Sequence, residues 1–235
     1  MDDNTEENAG GRRLVIAIDG PAASGKSTTA RNVAHRLGYT YIDTGAMYRA
    51  ATLAVLRAGI DPSDREAVER IACRTSIRFR RADDGSLDTL LDGQDVSAEI
   101  RSPEVTAHVS AVSSYPRIRE HLVALQQQMG REGGVVLDGR DIGTVVFPDA
   151  DVKVFMVADL RARAERRKAE LSTQGTDVDL GGLQADLERR DHLDSTRELS
   201  PLTKAEDAVE IDTSTMSIEA QVEKVLELVK GKRMG

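Results

Sequence analysis

The chain has no tryptophan, three phenylalanines and four tyrosines, too few flat rings for the base-stacking platforms of single-strand nucleic-acid binders. One cysteine in 235 residues cannot close an internal disulfide. Cys73 lies in VERIACRTSI with no histidine or second cysteine at ligand spacing, so it reads as a small buried hydrophobe. The four histidines, His35, His108, His121 and His192, show no metal spacing and read as structural. No apolar run reaches the roughly 18 residues of a membrane helix. The acidic start MDDNTEENAGG lacks the basic and apolar segments of an export signal, so a cytoplasmic protein is expected. Excess positive charge is also missing: 32 basic residues face 40 acidic ones, for a net of -8. Without Asp2, Asp3, Glu6 and Glu7 the balance is still -4, whereas duplex-binding domains are strongly basic. Neither a nucleic acid nor a membrane is therefore expected as partner.

What is present is one ordinary domain's worth of chain, 40% hydrophobic and 31% charged. Residues 1–11 read as a disordered tail and 12–235 as a single domain. LVIAI, Leu14 to Ile18, is a short β-branched run of the buried parallel-strand type. A helix follows from Gly25 to Leu37, with Gly38 as its stop. Tyr39 to Ile42 reads as a strand and Ala46 to Ala58 as a helix. Ser63 to Glu66 reads as a capping box opening a helix that ends near Cys73. From Thr75 to Val96 the residues alternate between Asp-Gly turns, which predicts a small antiparallel β insertion. Helices follow at Pro103 to Ser113 and Pro116 to Gly130, then strands at Val135 to Leu137 and Val152 to Val157. The charged segment Asp159 to Leu171 reads as a helix. A polar connection from Thr173 to Gly182 leads to a helix at Leu183 to Arg190 and a polar stretch to Pro201. Strand Ala208 to Ile211 and helix Ser217 to Val229 close the chain. Alternating strands and helices imply an α/β fold with a parallel sheet and helices on both faces.

Gly20-Pro21-Ala22-Ala23-Ser24-Gly25-Lys26-Ser27 matches G-x-x-x-x-G-K-[ST] between a strand and a helix, the context this phosphate loop requires, and Thr28 follows it. The glycines let successive N–H groups face one anion, and the helix adds the positive end of its dipole. Lys26 then reaches the β- and γ-phosphates of ATP, and the Ser27 hydroxyl joins the shell of Mg2+. No guanine-reading N-K-x-D exists among the three asparagines, Asn4, Asn8 and Asn32, so a GTPase switch is not expected. A compact phosphotransferase with a small acceptor remains. Phosphoryl transfer between two polyanions needs arginines outside the loop, and 25 of the 32 basic residues are arginine. Asp19 and Asp138, both at strand ends, either reach Mg2+ through water or merely terminate strands. Arg163, Arg166 and Arg167 either meet donor phosphates or form an exposed helix face.

IDGPAASGKST, YIDTGAMYR, YPRIRE, DGRDIGTVVFPDA and RRD with DSTR before SPL, taken together, resemble the bacterial cytidylate kinases of the nucleoside monophosphate kinase group, from about Leu14 to Leu228. The resemblance implies a three-layer P-loop fold with a core of about five parallel strands. It also implies a monophosphate-binding lobe at about 43–112, enlarged by the β insertion, and a mobile lid at about 172–197. The implied reaction moves the γ-phosphate of Mg-ATP to CMP or dCMP in a monomer. Lys26, Arg140 and Arg190 would act on the transferring group. Arg49 and Arg140 would clamp the acceptor phosphate, with Thr44 nearby. Ser110, Arg119 and Asp141 would read cytosine; Asp194 would hold sugar hydroxyls, and Arg197 would come in from the lid. The rival readings are a kinase for another small acceptor and a nucleotide-binding module without turnover.

Overall fold

A computed structural model describes residues 13–81, 87–173 and 178–234. The tail and the first Asp-Gly turn of the insertion (Asp83, Asp84, Gly85) lie outside the described residues. In chain order the elements are β1 (Val15–Asp19), α1 (Lys26–Leu37), β2 (Thr40–Asp43), α2 (Thr44–Arg57), α3 (Arg65–Ala72), β3 (Ile77–Arg81), β4 (Leu87–Leu91) and β5 (Gln94–Asp95). A 3-10 turn (Glu99–Arg101) precedes α4 (Pro103–Val112), α5 (Pro116–Gly130) and β6 (Val135–Gly139). A π-turn (Ile142–Val146) then leads to β7 (Val152–Val157), α6 (Leu160–Thr173), α7 (Leu180–Thr196), β8 (Val209–Asp212) and α8 (Ile218–Met234).

The main sheet has five strands in the order β2-β6-β1-β7-β8, all parallel. All of β6 and most of β1 are buried, which explains why both read as unbroken apolar runs rather than alternating ones. Ile16, Ile18, Val154 and Met156 pack on one face against α1 and α8. Ala17, Val135 and Leu137 pack on the other with Ile142 and Val146. The register sets Asp19 beside Gly139 and Asp43 beside Asp138, so three adjacent strands carry a carboxylate at or next to their last residue, along one sheet edge. Ligands of open parallel sheets bind at such carboxyl ends.

The insertion is a separate three-stranded antiparallel sheet, β3-β4-β5. Asp92 and Gly93 turn between β4 and β5 with φ of 50° and 84°, the left-handed pair of a tight hairpin turn. Ile77, Leu91 and Val96 seat this sheet on the same buried cluster as Met47, Leu53 and Val55 of α2.

Three expectations change and one element is new. Asp64, not Ser63, caps α3 by accepting from the N–H of Ala67 at 3.1 Å, while the Ser63 hydroxyl donates to Asp61. Cys73 is half-buried, its thiol 3.5 Å from the Arg117 carbonyl. Helix α7 is longer than Leu183 to Arg190 at both ends and carries Asp194 within it. Its start was masked by Gly181 and Gly182. Asp179 caps it by accepting from Gly182 N at 2.8 Å, and Leu180, Leu183 and Leu187 face Ala22 and Ala164. The π-turn had no periodic signature. It exists because the buried Asp19 carboxylate accepts from the N–H groups of Ile142 and Gly143, both at 2.8 Å. No described helix is long and apolar enough to cross a membrane.

Candidate active site

A cleft of about 600 Å³ opens at the carboxyl edge of the sheet. Eight arginines and Lys26 line it against five carboxylates, so an acidic protein presents a locally cationic surface.

The loop from Gly20 to Ser27 forms its floor. Gly20 has φ +154°, and a Cβ there would stand 2.2 Å from the Met156 carbonyl oxygen of β7. No side chain larger than glycine fits. Ala23 at φ 60° and Gly25 at φ 94° complete the curl. Gly25 caps α1 without any side-chain acceptor, which leaves the first N–H groups of the helix for an anion. Two of the loop's carbonyls, those of Ala22 and Ser24, are claimed by side chains outside the cleft lining. Ser24 O accepts from the Thr213 hydroxyl at 2.8 Å and from Arg166 at 3.3 Å, and Ala22 O accepts from Arg163 at 3.3 Å. Arg163 and Arg166 thus bond to loop carbonyls, while Arg167 is the member of the trio that lines the cleft. Gly20, Pro21 and Ser24 sit behind the lining, and Ala22, Ala23, Gly25, Lys26, Ser27 and Thr28 face it.

Lys26 is buried and donates from Nζ to the Pro21 carbonyl at 3.0 Å. Burial, together with repulsion from Arg140, lowers its pKa from 10.5 to about 7. The Ser27 hydroxyl donates to Asp138 at 2.6 Å, and the Tyr41 hydroxyl donates to the other oxygen of that carboxylate at 2.7 Å. Burial and the nearby Asp43 raise the Asp138 pKa. Asp19, raised to about 6 by burial, turns the other way, toward the π-turn. The pair left equal by sequence therefore separates: Asp138 meets the loop and Asp19 anchors a backbone segment.

On the opposite wall, Arg140 donates from Nε to Asp194 at 2.7 Å; burial opposes its charge, but that carboxylate outweighs it and raises the Arg140 pKa. Arg119 and Asp141, each 4% exposed, form a buried ion pair. Arg197 approaches the second Asp141 oxygen at 3.7 Å and donates from Nε to the Ser200 carbonyl at 2.6 Å. Arg49 is held by the Ile100 carbonyl at 3.2 Å and the Thr106 hydroxyl at 2.9 Å. Burial, then Arg190 and Arg101, push its pKa down to about 9. Burial likewise lowers Arg190 and Arg197, each beside another arginine. Nε of Arg119 and of Arg190 is buried without a partner. Four cations held below their ordinary pKa in one cleft are a site that a polyanion would relieve. Thr44 gives its hydroxyl to the Asp138 carbonyl at 2.6 Å, and Ser110 lines the cleft from α4.

The family model described as "Cytidylate kinase" matches residues 16–231. The chain belongs to the cytidylate kinase family. A cytidylate kinase of Pelodictyon phaeoclathratiforme is 51% identical over 234 residues, covering 97% of this chain and 99% of the relative. One of Bacillus cereus is 50% identical over 220 residues, covering 94% and 97%.

The structure brings together in this cytidylate kinase cleft every residue proposed for the acceptor side: Thr44, Arg49, Ser110, Arg119, Arg140, Asp141, Asp194 and Arg197, with Arg190 between them and the loop. Sequence reasoning missed Arg31, Tyr48, Arg101 and Ser113, which also line it. Tyr48 carries the Arg119 guanidinium 5.4 Å from its ring centre, and Arg101 pairs with Asp43 at 3.2 Å. The only local signal for Arg101 was its place just before a Ser-Pro helix start.

Proposed function

We propose that this cytidylate kinase transfers the γ-phosphoryl group of Mg-ATP to CMP or dCMP, giving CDP or dCDP, in the cytoplasm and as a monomer. The observation that carries the reading is the shared cleft. A phosphate loop with a free helix N-terminus faces a second cationic wall in which a buried arginine–aspartate pair is available to a base.

In this reading the N–H groups at the start of α1 and Lys26 cradle the donor phosphates. Arg49 and Arg140 clamp the acceptor phosphate, and Arg190 bridges to the transferring group. The acceptor oxygen is already ionised and needs no general base, so positioning and charge stabilisation do the chemistry. Asp194 holds both the sugar hydroxyls and Arg140, and Thr44 keeps the strand end beneath them in register. Ser110 and Asp141 accept from the exocyclic amine of cytosine, Arg119 donates to its O2 and N3 side, and Arg197 closes over them. Residues 43–112 serve as the monophosphate lobe and 172–197 as the lid.

The donor set fits Mg2+. Ser27 and Asp138 would hold it through one hydroxyl and one carboxylate, both hard oxygens already within 2.6 Å of each other. When bound it neutralises charge on the donor phosphates. Among the described residues no cluster of three or more metal-binding side chains exists.

A panel of CMP, dCMP, UMP and AMP with ATP, read by coupled ADP release, tests the reading. CMP and dCMP should exceed UMP by at least about tenfold in kcat/KM. ADP release indifferent to the acceptor would refute it.

A further inference from the structure

Behind the donor loop lies an ion pair, buried on its arginine side and half-buried on its aspartate side, that the reaction scheme does not use. Arg163 of α6 is 6% exposed, and its three nitrogens reach three different parts of the chain. Nε donates to the Ala158 carbonyl at 3.1 Å, Nη1 to the Ala22 carbonyl at 3.3 Å, and Nη2 lies 2.6 Å from Asp191 Oδ2 on α7. Arg166 of the same helix also reaches the loop, at the Ser24 carbonyl, but pairs with no carboxylate of α7, and Arg161 pairs with Glu165 on the exposed face, its side chain 78% accessible. Neither Arg163 nor Asp191 lines the cleft; both stand behind its wall.

Their placement links the two halves of the site. The Ala22 carbonyl bonded to Arg163 belongs to the donor loop. Asp191 stands three residues before Asp194, one helical turn along the same face of α7, and Asp194 holds Arg140 at 2.7 Å. Leu180, Leu183 and Leu187 of α7, with Leu160 and Ala164 of α6, pack directly on Ala22 and Ala23. One helix is thereby fastened at one point to the loop and at the next turn to the acceptor arginine. Opening the link would leave the buried Arg163 guanidinium without its carboxylate, a cost that favours the closed arrangement.

We propose that Arg163 and Asp191 are positioning residues that join the donor loop to α7, so that nucleotide on the loop and monophosphate on the acceptor wall strengthen each other's binding. The inference rests on the donor and acceptor assignment above and adds a mutual coupling between the two sites, which linkage requires to be reciprocal.

Calorimetric titration of the full chain with CMP, alone and in the presence of Mg2+ and the β,γ-imido analogue of ATP, measures the coupling. The wild type should bind CMP at least about fivefold tighter with the analogue present. Asp191→Asn should shrink that enhancement to within about twofold, leave the affinity for CMP alone within about twofold of wild type, and Asp191→Glu should recover part of the loss. Arg163→Gln should act alike, and the double variant should lose no more than either single one. Should Arg163→Gln fail to fold, Asp191→Asn decides by itself, since its side chain is 26% accessible and asparagine fits the same space. An unchanged enhancement in Asp191→Asn overturns the proposal, and so does an equal loss of CMP affinity with and without the analogue. A wild type that binds both ligands without mutual enhancement also overturns it. A wild type that binds neither sinks the functional reading and this inference together.

Discussion

Replacing Asp141 with asparagine keeps the shape of the side chain and removes the charge that answers two buried guanidiniums. Its carboxylate pairs with Arg119 and lies 3.7 Å from Arg197, and both Asp141 and Arg119 are 4% exposed. Two separable effects follow. Breaking a buried pair from one side costs about 3–5 kcal/mol, and asparagine still accepts one hydrogen bond, so about 3 kcal/mol is the appropriate figure. At about 2–4 °C per kcal/mol for a chain of this size, Tm should fall by about 6–12 °C. The second effect concerns the base. A charge-assisted bond to the cytosine amine contributes about 1.5–3 kcal/mol, so kcat/KM for CMP should drop by about 10–150-fold. UMP, which presents an acceptor at that position, should lose far less, because the new amide can donate to it. With no tryptophan in the chain, melting is best followed by far-ultraviolet circular dichroism, and kinetics with both acceptors belong below both midpoints. A Tm within about 2 °C of wild type would refute the buried-pair energetics. An unchanged ratio of CMP to UMP efficiency would refute the base-reading role, whatever the stability.

Other outcomes follow from the donor side. With its pKa near 7, Lys26 is mostly neutral at about pH 8 in the free protein, so binding ATP should take up about one proton there. Calorimetry in buffers of different ionisation heat reads this uptake, and Lys26→Met should abolish both the uptake and turnover. The unfolded chain holds the Lys26 proton up to pH 10.5 and the folded chain only to about 7, so the penalty Lys26 imposes on stability fades as pH rises through that window. The Tm difference between wild type and Lys26→Met should therefore shift in favour of wild type between those limits, and a constant difference would contradict the assignment. Ser27→Ala should raise the Mg2+ concentration needed for half-maximal rate by about tenfold or more while leaving Tm nearly unmoved. Gly20→Ala, whose Cβ would stand 2.2 Å from the Met156 carbonyl, should lower Tm and abolish nucleotide binding, and near-normal affinity would show that the loop is free to shift.

Wherever chemistry is local, the chain by itself determined the result. The phosphate loop was legible because its glycines, its lysine and its hydroxyl are adjacent in sequence and lie between an apolar strand and a periodic helix. The parallel sheet was legible from unbroken apolar runs, since strands covered on both faces have no polar side to alternate with. The hairpin turn at Asp92 and Gly93 was legible because few residue pairs tolerate two left-handed conformations in succession. The resemblance to a family supplied the acceptor residues, which no spacing could have grouped. Tertiary structure decided the rest. Asp19 and Asp138 both end strands, and only the strand order turns one toward the loop and the other toward a π-turn. Arg163, Arg166 and Arg167 look alike in a charged helix, yet packing buries the first behind the loop and leaves the third at the cleft. The length of α7 was hidden by two glycines in its first turn, a local cost that a cap at Asp179 and the packing of Leu187, with the half-buried Leu180 and Leu183, against the loop offset. These outcomes depend on which distant segments meet, and a charge or a glycine carries no mark of that until the fold has chosen its neighbours.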